Sequence, residues 1–227
     1  MKKNVFDEVA EIYEKIFPEH IFNYYLNKRI NIILKLKLDK KAKILDVGCG
    51  TGTLLYHLKN YGYDVWGIDN SKRMVEIAEE KVPGKIIKED MLNIPFPSET
   101  FDLVFSIVSL HHLGKIEKVK KAVREMIRIT KNGGMILIWE HNPLNPYWYF
   151  LMKKVPQDIG EEKLIPLSIF INEFKKNKIK ILKVFRCGLV PDFAPKWSLF
   201  FLDYLEKGLQ KVFPLLLAHN VIIGKKE

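Results

Sequence analysis

The 227-residue chain contains 37 Lys and Arg against 27 Asp and Glu, which gives a formal net charge of +10. Its 48% hydrophobic and 28% charged residues are typical of a soluble globular protein and exclude an intrinsically disordered one. No stretch reaches the roughly 18 uncharged apolar residues needed to cross a bilayer, and the first residues lack the apolar core of a signal peptide. Cys49 and Cys187 suggest neither a disulfide framework nor a zinc site, so we expect a cytoplasmic protein without a metal.

The basic residues are spread along the chain and do not form one cluster. Most lysines alternate with apolar positions, which is typical of the solvated faces of amphipathic elements. Because nucleic-acid sites concentrate their basic residues, this distribution argues against a nucleic-acid partner. Glutamine occurs only at positions 157 and 210, beside abundant Lys and Glu, and this composition indicates a thermophilic source.

Residues 1–38 are predicted to form an N-terminal helical cap. Apolar residues recur at i, i+3 and i+4, and Pro18 separates two such patterns. Packing accounts for most of this apolar face. The alternative is a segment that lies over a bound ligand and touches it through Tyr13 or Tyr24.

Residues 40–140 alternate strand-like and helix-like patterns, as in a parallel sheet with helices on both faces. Ser71 is placed to cap the second helix, and Gly133 is placed to end the third. The predicted strands are 43–48, 64–69, 85–88, 101–106 and 135–140, and the predicted helices are about 53–60, 72–81 and 116–130.

The regular pattern loosens after residue 140. Residues 141–178 and 187–216 are predicted insertions at the ligand side of the sheet, and Ser168 is placed to cap a helix that ends near residue 177. No internal repeat occurs, so the prediction is a single domain over residues 1–227. The last two strands are predicted at about 179–186 and 217–224.

The sequence KILDVGCGTG at residues 43–52 carries the strongest functional signal. An apolar run typical of a strand buried on both faces is followed by glycines at every second position. A strand, a glycine turn and a helix start make a cradle in which backbone N–H groups face a ligand. The spacing G-x-G-x-G lacks the third glycine of the dinucleotide fingerprint, and no phosphate-binding G-x-x-x-x-G-K-[ST] loop occurs. The pattern therefore favours a nucleoside without a pyrophosphate.

Acidic residues follow the next two strands, at the edge where open parallel sheets bind ligands. Asp69 lies 23 positions after Asp46 and is placed to accept hydrogen bonds from both ribose hydroxyls. Its alternative role is that of a helix N-cap or loop acid. Asp90 is placed to accept from an exocyclic amino group, with Met91 against the base, or to serve as a turn residue.

Residues 44–52 resemble the glycine-rich signature of class I S-adenosylmethionine-dependent methyltransferases. The later blocks of that family have similar counterparts here in the same order, and together they cover about residues 40–140. The chain is most similar to the branch that contains the ubiquinone- and menaquinone-pathway methyltransferases (methyltransferase type 11) and many small-molecule enzymes. The similar blocks are residues 65–69, 89–91, 95–96, 101–104, 109–113 and 131–134.

The resemblance implies an α/β, Rossmann-like fold with a seven-stranded doubly wound sheet of order 3-2-1-4-5-7-6. Strand seven would be antiparallel, with an apolar insertion between strands six and seven. The implied cofactor is S-adenosyl-L-methionine, with S-adenosyl-L-homocysteine as product. Asp46 would steady the glycine loop or meet the methionine ammonium, and Asp69 would hold the ribose. The implied cofactor-binding residues are Asp46, Gly48, Cys49, Gly50, Gly52, Asp69, Asn70, Asp90, Met91 and Ser106.

Methyl transfer from a sulfonium is an in-line displacement, so the main task of the protein is to align the acceptor, the methyl group and the sulfur. A base is required only where the acceptor must lose a proton. The candidates follow strands four and five, and each has a structural role as its alternative. His111 ranks first, ahead of His112, Glu140 and His141.

We expect a small-molecule acceptor, lipophilic or glycan-linked, that is methylated at oxygen or carbon. Residues 106–109 read Ser-Ile-Val-Ser and lack the Asn-Pro-Pro-aromatic motif of methyltransferases that act on exocyclic amines or glutamine side chains. The competing hypotheses are an RNA or protein methyltransferase and a non-catalytic module that binds the cofactor. The apolar segment 187–216 is interpreted first as core packing, with an acceptor pocket or a peripheral membrane contact as alternatives. The oligomeric state is not predicted.

Overall fold

The computed structural model describes residues 4–153 and 162–227, which build one seven-stranded sheet with helices on both faces. The strands are β1 (Lys43–Val47), β2 (Asp64–Asp69), β3 (Ile86–Lys88), β4 (Phe101–Ile107), β5 (Thr130–His141), β6 (Ile179–Cys187) and β7 (His219–Lys226). The helices are α1 (Val5–Val9), α2 (Glu19–Leu34), α3 (Thr53–Asn60), α4 (Lys72–Lys81), α5 (Ile116–Ile129), α6 (Tyr147–Leu151), α7 (Leu167–Lys176) and α8 (Leu199–Val212). The predicted alternation of strand and helix over residues 40–140 is confirmed.

The strands follow the order β3-β2-β1-β4-β5-β7-β6, as predicted. The first five strands pair in parallel, whereas β7 runs antiparallel to both β5 and β6. Strand order reverses between β1 and β4, and this is where an open α/β sheet leaves a crevice beyond the carboxyl ends of its strands. The fold therefore places any ligand site beside residues 48–52.

Two apolar layers cover the two faces of the sheet. On one face α5 and α7 bury Val119, Met126 and Phe174, each with no exposed surface. On the other face α2 and α3 bury Ile33 and Leu58, also with no exposed surface. The parallel strands between these layers must be apolar on both sides, which explains the short unbroken apolar runs of the sequence. No helix of the described residues is long and apolar enough to span a membrane.

The N-terminal segment is fastened across the glycine loop and the start of α4. Asp7 accepts hydrogen bonds from the Ser71 hydroxyl (2.6 Å) and from the Arg73 backbone N–H (3.0 Å). Glu14 accepts from the Thr51 hydroxyl at 2.5 Å and from the Lys81 ammonium at 2.6 Å. The predicted helical cap therefore lies over the carboxyl edge of the sheet. In addition to packing, acidic side chains hold it there.

The prediction that Gly133 ends α5 is wrong. The helix ends at Ile129, because Thr130 already has extended backbone, with a ψ of 133°. The Thr130 hydroxyl donates to the Met126 carbonyl at 2.7 Å and so satisfies one of the last carbonyls of the helix. Gly133, with a φ of +79°, lies instead in the irregular first part of β5.

Two other predicted boundaries differ from the structure. Ser168 lies inside α7, and Pro166 occupies the N-cap position without a side-chain hydrogen bond. The last strand begins at His219, two residues later than predicted, because residues 214–216 form a 3-10 turn. Proline at the first position of that turn favours the turn over an extended backbone.

The insertion between β6 and β7 is only partly buried. Val190 and Ala194 pack with Ile21 of α2 in a small apolar cluster. By contrast, α8 buries only Glu206 fully and leaves Phe200 86% exposed. The expectation that residues 187–216 are mainly core packing is therefore wrong for the outer side of α8.

Candidate functional site

Backbone hydrogen bonds from β2 shape the glycine loop, which we define as residues 48–52. The N–H groups of Gly48 and Cys49 both donate to the Ile68 carbonyl, at 2.9 and 3.0 Å. The Gly50 N–H donates to Oδ2 of Asp69 at 2.9 Å. The loop is therefore fixed by the neighbouring strand and by the carboxylate that ends it.

The three glycines of the loop serve different purposes, although each has a positive φ. A Cβ at Gly48 would lie 2.0 Å from the Ser109 Oγ, so the loop passes too close to the segment after β4 for any other residue. A Cβ at Gly52 would lie 2.8 Å from the Ala78 Cβ, so Gly52 allows α4 to pack against the loop. Gly50 faces open space, because the nearest atom belongs to Tyr13 at 3.9 Å. Gly50 is thus the glycine that leaves room for a ligand.

A cavity of about 430 Å³ lies above the loop, and we call it the loop cavity. Its walls come from the ends of β1, β2, β3 and β4 and from the N-terminal segment. The predicted site residues on its wall are Asp46, Gly48, Cys49, Gly50, Asp69, Asn70, Asp90 and Met91. Gly52 and Ser106 are not on that wall, and the Ser106 hydroxyl donates to the Val47 carbonyl at 2.9 Å inside the sheet.

The side chains of Asp46 and Arg29 lie in the wall of the loop cavity. Asp46 is 4% exposed, and its Oδ1 has no hydrogen-bond partner within residues 4–153 and 162–227. The Arg29 Nε is likewise buried without a partner in that part of the chain. Burial and the neighbouring Asp69 raise the pKa of Asp46 to about 8, although the Arg29 charge opposes them. The cavity therefore places a buried carboxyl group and a buried guanidinium group where a ligand could pair with both.

The Asp69 carboxylate organises the loop as well as facing the cavity. Its Oδ2 accepts from Gly50 and its Oδ1 accepts from the Ser71 N–H, both at 2.9 Å. Burial raises the pKa of Asp69, and these amides counteract the rise. The position fits both roles predicted for Asp69. The amides from which it accepts make it a loop acid, and each oxygen has a further lone pair for a ligand hydroxyl.

A second cavity of about 350 Å³ lies beside the first, and we call it the histidine cavity. Its walls come from α2, the ends of β4 and β5, α6 and the start of the β6–β7 insertion. Four imidazoles line it, together with an aromatic and apolar set. These wall residues are His111, His112, His141, His219, Tyr13, Phe17, Phe22, Tyr25, Tyr147, Trp148, Leu189 and Val190.

Buried Glu140 fixes the orientation of His111. Its Oε1 accepts from the N–H groups of Ser109 (2.9 Å) and Leu110 (2.7 Å), which begin a 3-10 turn at Leu110–Leu113. Its Oε2 lies 2.9 Å from the His111 Nδ1. Burial favours protonation of Glu140, but His111 and the backbone amides outweigh it and lower the pKa of this carboxyl. An ionised carboxylate only accepts, so His111 donates to it from Nδ1.

The deeper histidines are held neutral by their surroundings. The His141 ring stacks on Trp148 at a centroid distance of 3.5 Å and lies 5.5 Å from His219. Burial, reinforced by nearby positive or titratable groups, lowers the pKa of both imidazoles well below the usual value. No three His, Cys, Asp or Glu side chains in the described ranges are grouped to hold a metal ion. His141 and His219 thus present polar atoms to the cavity without adding charge.

The two cavities share part of their walls. The residues common to both are Tyr13, Phe22, Arg29, Ile107, Val108 and His112. Val108 has a φ of +53°, which is strained for a β-branched residue, and its N–H donates to the Trp139 carbonyl at 2.7 Å. The strained backbone at Val108 thus lies where the two cavities adjoin.

Sequence reasoning missed several residues of this site. Arg29 lies on the buried side of α2, between Leu26 and Ile33, and a lone arginine in an apolar stripe was the available signal. Tyr13 is on the wall of both cavities, as one alternative proposed. Tyr24 is not on either wall, and its hydroxyl donates to Asp203 at 2.8 Å.

The chain is similar in sequence to a family of proteins and to individual relatives. Residues 45–138 match a family model described as a methyltransferase domain. The demethylmenaquinone methyltransferase of Paenarthrobacter aurescens is 32% identical over 164 residues, which cover 66% of this chain and 64% of that protein. The phosphoethanolamine N-methyltransferase of Plasmodium falciparum is 34% identical over 141 residues, covering 60% of this chain and 53% of that protein.

A solved structure shows the same fold. The crystal structure of a SAM-dependent methyltransferase from Thermotoga maritima, described as a possible histamine N-methyltransferase, has a TM-score of 0.69 at 18% identity. The alignment covers 98% of this chain and 99% of that one. The two curated relatives above are matched over 53% and 64% of their own length. Residues 45–138 thus match a methyltransferase domain, and the sheet order is the fold seen in a solved SAM-dependent methyltransferase.

Proposed function

We propose that this protein transfers a methyl group from S-adenosylmethionine to a small acceptor with an apolar ring, at an oxygen or a carbon atom. The observation that carries the proposal is the shared wall of the two cavities. A cofactor in the loop cavity and an acceptor in the histidine cavity would meet at that wall. Holding two reactants in contact and in the geometry of attack is a large contribution to an in-line displacement.

The groups of the loop cavity fit the amino-acid end of the cofactor. Asp46 would accept from its ammonium group and Arg29 would donate to its carboxylate, so each unpartnered buried atom gains a partner. Asp69 and Asn70 would bind the ribose hydroxyls, and Asp90 and Met91 would flank the adenine. When bound, the cofactor supplies a methyl group on a positively charged sulfur.

The histidine cavity favours an apolar acceptor of modest size. Its volume of about 350 Å³ lies at the small end of the range for small-molecule sites, which supports a small molecule over nucleic acid. Tyr25 and Trp148 provide aromatic walls, and Arg29 would repel a cationic amine. These walls suit a ring acceptor better than a phosphoethanolamine-like amine. The name of the demethylmenaquinone methyltransferase indicates an acceptor of the ring kind for that relative.

His111 is the proposed base for an acceptor that must lose a proton. With Nδ1 bonded to Glu140, Nε2 is the nitrogen that accepts, and His111 lies on the wall of the acceptor cavity. Glu140 also stabilises the imidazolium that forms when His111 takes the proton. Glu140 is therefore a positioning residue and His111 the proposed catalytic one.

The experiment that tests this function measures S-adenosylhomocysteine release with a panel of quinol, phenol and amine acceptors. We expect turnover with a ring acceptor, and a loss of about 10²- to 10⁴-fold in His111→Asn. The matched control is His57→Asn on α3, which lines neither cavity and should keep full activity. Cofactor binding without turnover on any acceptor would indicate a non-catalytic module. A salt-dependent affinity for RNA would instead support a nucleic-acid substrate.

A further inference from the structure

An exposed aromatic surface covers the outer side of α8 and the turns beside it. We define the α8 face as Phe193, Trp197, Phe200, Phe201, Tyr204, Val212 and Phe213. Trp197 is 82% exposed and Phe200 86%, although side chains of this kind are normally at least half buried. Contiguous apolar patches on this scale mark a contact surface, because an isolated soluble protein gains nothing from hydrating them.

The acidic residues of α8 are turned away from this face. Glu206 is 2% exposed, accepts from the Gly188 and Leu189 N–H groups at 3.0 Å, and pairs with Lys28 at 2.6 Å. Asp203 accepts from the Tyr24 hydroxyl and lies 3.3 Å from the same ammonium. Both carboxylates thus fasten α8 to α2, and the outer face is left without acidic groups of the helix.

Exposed lysines lie beside the α8 face. Lys196, Lys207 and Lys211 are exposed, and the segment 193–216 contains no acid besides the two that face Lys28. Lys207 lies 3.6 Å from Asp203, so Lys196 and Lys211 carry most of the outward positive charge. Aromatic side chains beside lysines are the composition of helices that lie in the interface of a membrane.

The apolar surface continues to the mouth of the histidine cavity. The Asn142 and Asn145 side chains donate to the carbonyls of Leu217 (2.9 Å) and Leu216 (2.7 Å). Residues 142–145, just before α6, therefore lie against the end of the insertion. Leu216 is 54% exposed and also lines the histidine cavity. Phe150 on α6 is a further exposed apolar side chain, at 69%. The cavity therefore opens beside the apolar face.

We propose that the α8 face binds the surface of a bilayer that contains anionic lipids. The aromatic side chains lie at the depth of the headgroups, and Lys196 and Lys211 contact lipid phosphates. A second copy of the chain fits this face less well, because a two-fold contact would bring the same lysines of both copies together. This interaction does not depend on the proposed activity, although it would present the histidine cavity to lipophilic acceptors.

The test is flotation of the protein with vesicles of phosphatidylcholine alone or with about one third phosphatidylglycerol. We expect binding to the anionic vesicles and a blue shift in the fluorescence of Trp197, the most exposed of the four tryptophans, since Trp66 is half-buried and Trp139 and Trp148 are buried. The double variant Phe200→Ser/Phe201→Ser should bind at least about tenfold more weakly, because two aromatic side chains no longer leave water. The matched control Tyr56→Ser/Tyr61→Ser removes two exposed aromatic residues from α3 and its end, and should bind like the wild type.

The charge is tested separately. Lys196→Gln and Lys211→Gln should each weaken binding to anionic vesicles by about fivefold and leave binding to neutral vesicles unchanged. Equal binding by the Phe200→Ser/Phe201→Ser variant and the wild type would overturn the proposal. So would a dimer that this variant converts to a monomer in light scattering, without any vesicle binding by the wild type. Each of these measurements needs neither cofactor nor turnover, so its failure is distinct from a failure of the proposed function.

Discussion

The loop cavity and the histidine cavity lie side by side but are built in different ways. Short consecutive segments at strand ends shape the loop cavity, and backbone N–H groups fix those segments, as at Gly48 and Gly50. Side chains from α2, β4, β5, α6 and the β6–β7 insertion shape the histidine cavity. A backbone-made site suits a ligand that a whole family shares, whereas a side-chain-made site changes easily between relatives.

Electrostatics separates the two regions further. The loop cavity carries the acidic ends of the strands, with the pKa of Asp46 raised to about 8 by burial and by Asp69. In the histidine cavity, burial lowers the pKa of His141 and His219, whereas His111 and the backbone amides lower the pKa of the adjoining Glu140 carboxyl against the effect of its burial. A charged amino acid fits the first environment and an apolar ring fits the second. Substitutions in one cavity are therefore expected to leave the other cavity intact.

The largest effect is expected from Glu140→Ala in the histidine cavity. The change leaves two backbone N–H groups and His111 without their acceptor in a buried environment, so the free energy of unfolding should fall by about 3–5 kcal/mol. Urea titration followed by circular dichroism measures this. Glu117→Ala, which removes an exposed carboxyl group from α5, is the control and should leave the midpoint in place. A fall no larger than that of the control would contradict the role given to Glu140.

The second effect separates two glycines of the loop. Gly48→Ala should reduce the free energy of unfolding by about 1–3 kcal/mol more than Gly50→Ala, since only the first new methyl group meets the Ser109 side chain. Gly50→Ala should instead lose cofactor affinity, because its methyl group enters the loop cavity. Thermal unfolding and calorimetric titration on both variants check this. The same loss of stability in both would show that Gly50 does not face open space.

The third effect is a loss of stability in acid that comes from the histidine cavity. Burial lowers the pKa of His141 and His219, so below about pH 6.5 the unfolded chain binds protons that the folded chain does not. Their contribution is complete above that pH and is lost as the pH falls, at up to about 1.4 kcal/mol per pH unit for each histidine. Urea titrations from pH 7.5 to 5 should show a shallower slope in His219→Gln. An unchanged slope would contradict the burial of a neutral His219.

The fourth effect belongs to the loop cavity and is the smallest. Because the pKa of Asp46 is raised to about 8, this carboxyl must release a proton to pair with an ammonium group near pH 6.5. Cofactor binding should therefore release up to about one proton per site in the wild type and less in Asp46→Asn. Calorimetry in two buffers of different ionisation enthalpy counts these protons. Equal release by both proteins would remove Asp46 from the ammonium site.

The loop cavity could be predicted from the sequence because its residues follow one another at strand ends. The spacing of Gly48 to Gly52 and the acids Asp69 and Asp90 are local patterns, and the sheet brings them together in a fixed way. Ser106 and Gly52 could not be placed in this way. The Ser106 hydroxyl bonds to the neighbouring strand β1, and Gly52 allows α4 to pack closely against the loop. Both roles depend on tertiary packing, which the spacing of residues in the sequence does not reveal.

The histidine cavity could be predicted only in part. His111 and His141 lie next to strand ends, and the sequence identified them as candidates. Arg29 and His219 come from segments 190 residues apart, and only the folded chain places them on one wall. The exposure of the outer side of α8 could not be predicted for a similar reason, because composition does not tell which side of a helix is buried.

The central claim is that the cofactor and the acceptor occupy separate cavities that meet at one wall. Calorimetric titration of S-adenosylmethionine into the wild type, Asp46→Asn and Leu189→Trp tests it most directly. We predict binding by the wild type and a loss of about tenfold or more in Asp46→Asn, since a hydrogen bond to a charged group is removed. The affinity of Leu189→Trp, which fills the histidine cavity, should stay within about twofold of the wild type, a change too small to reflect a lost contact. Absence of binding by the wild type, or an equal loss in both variants, would contradict the two-cavity account.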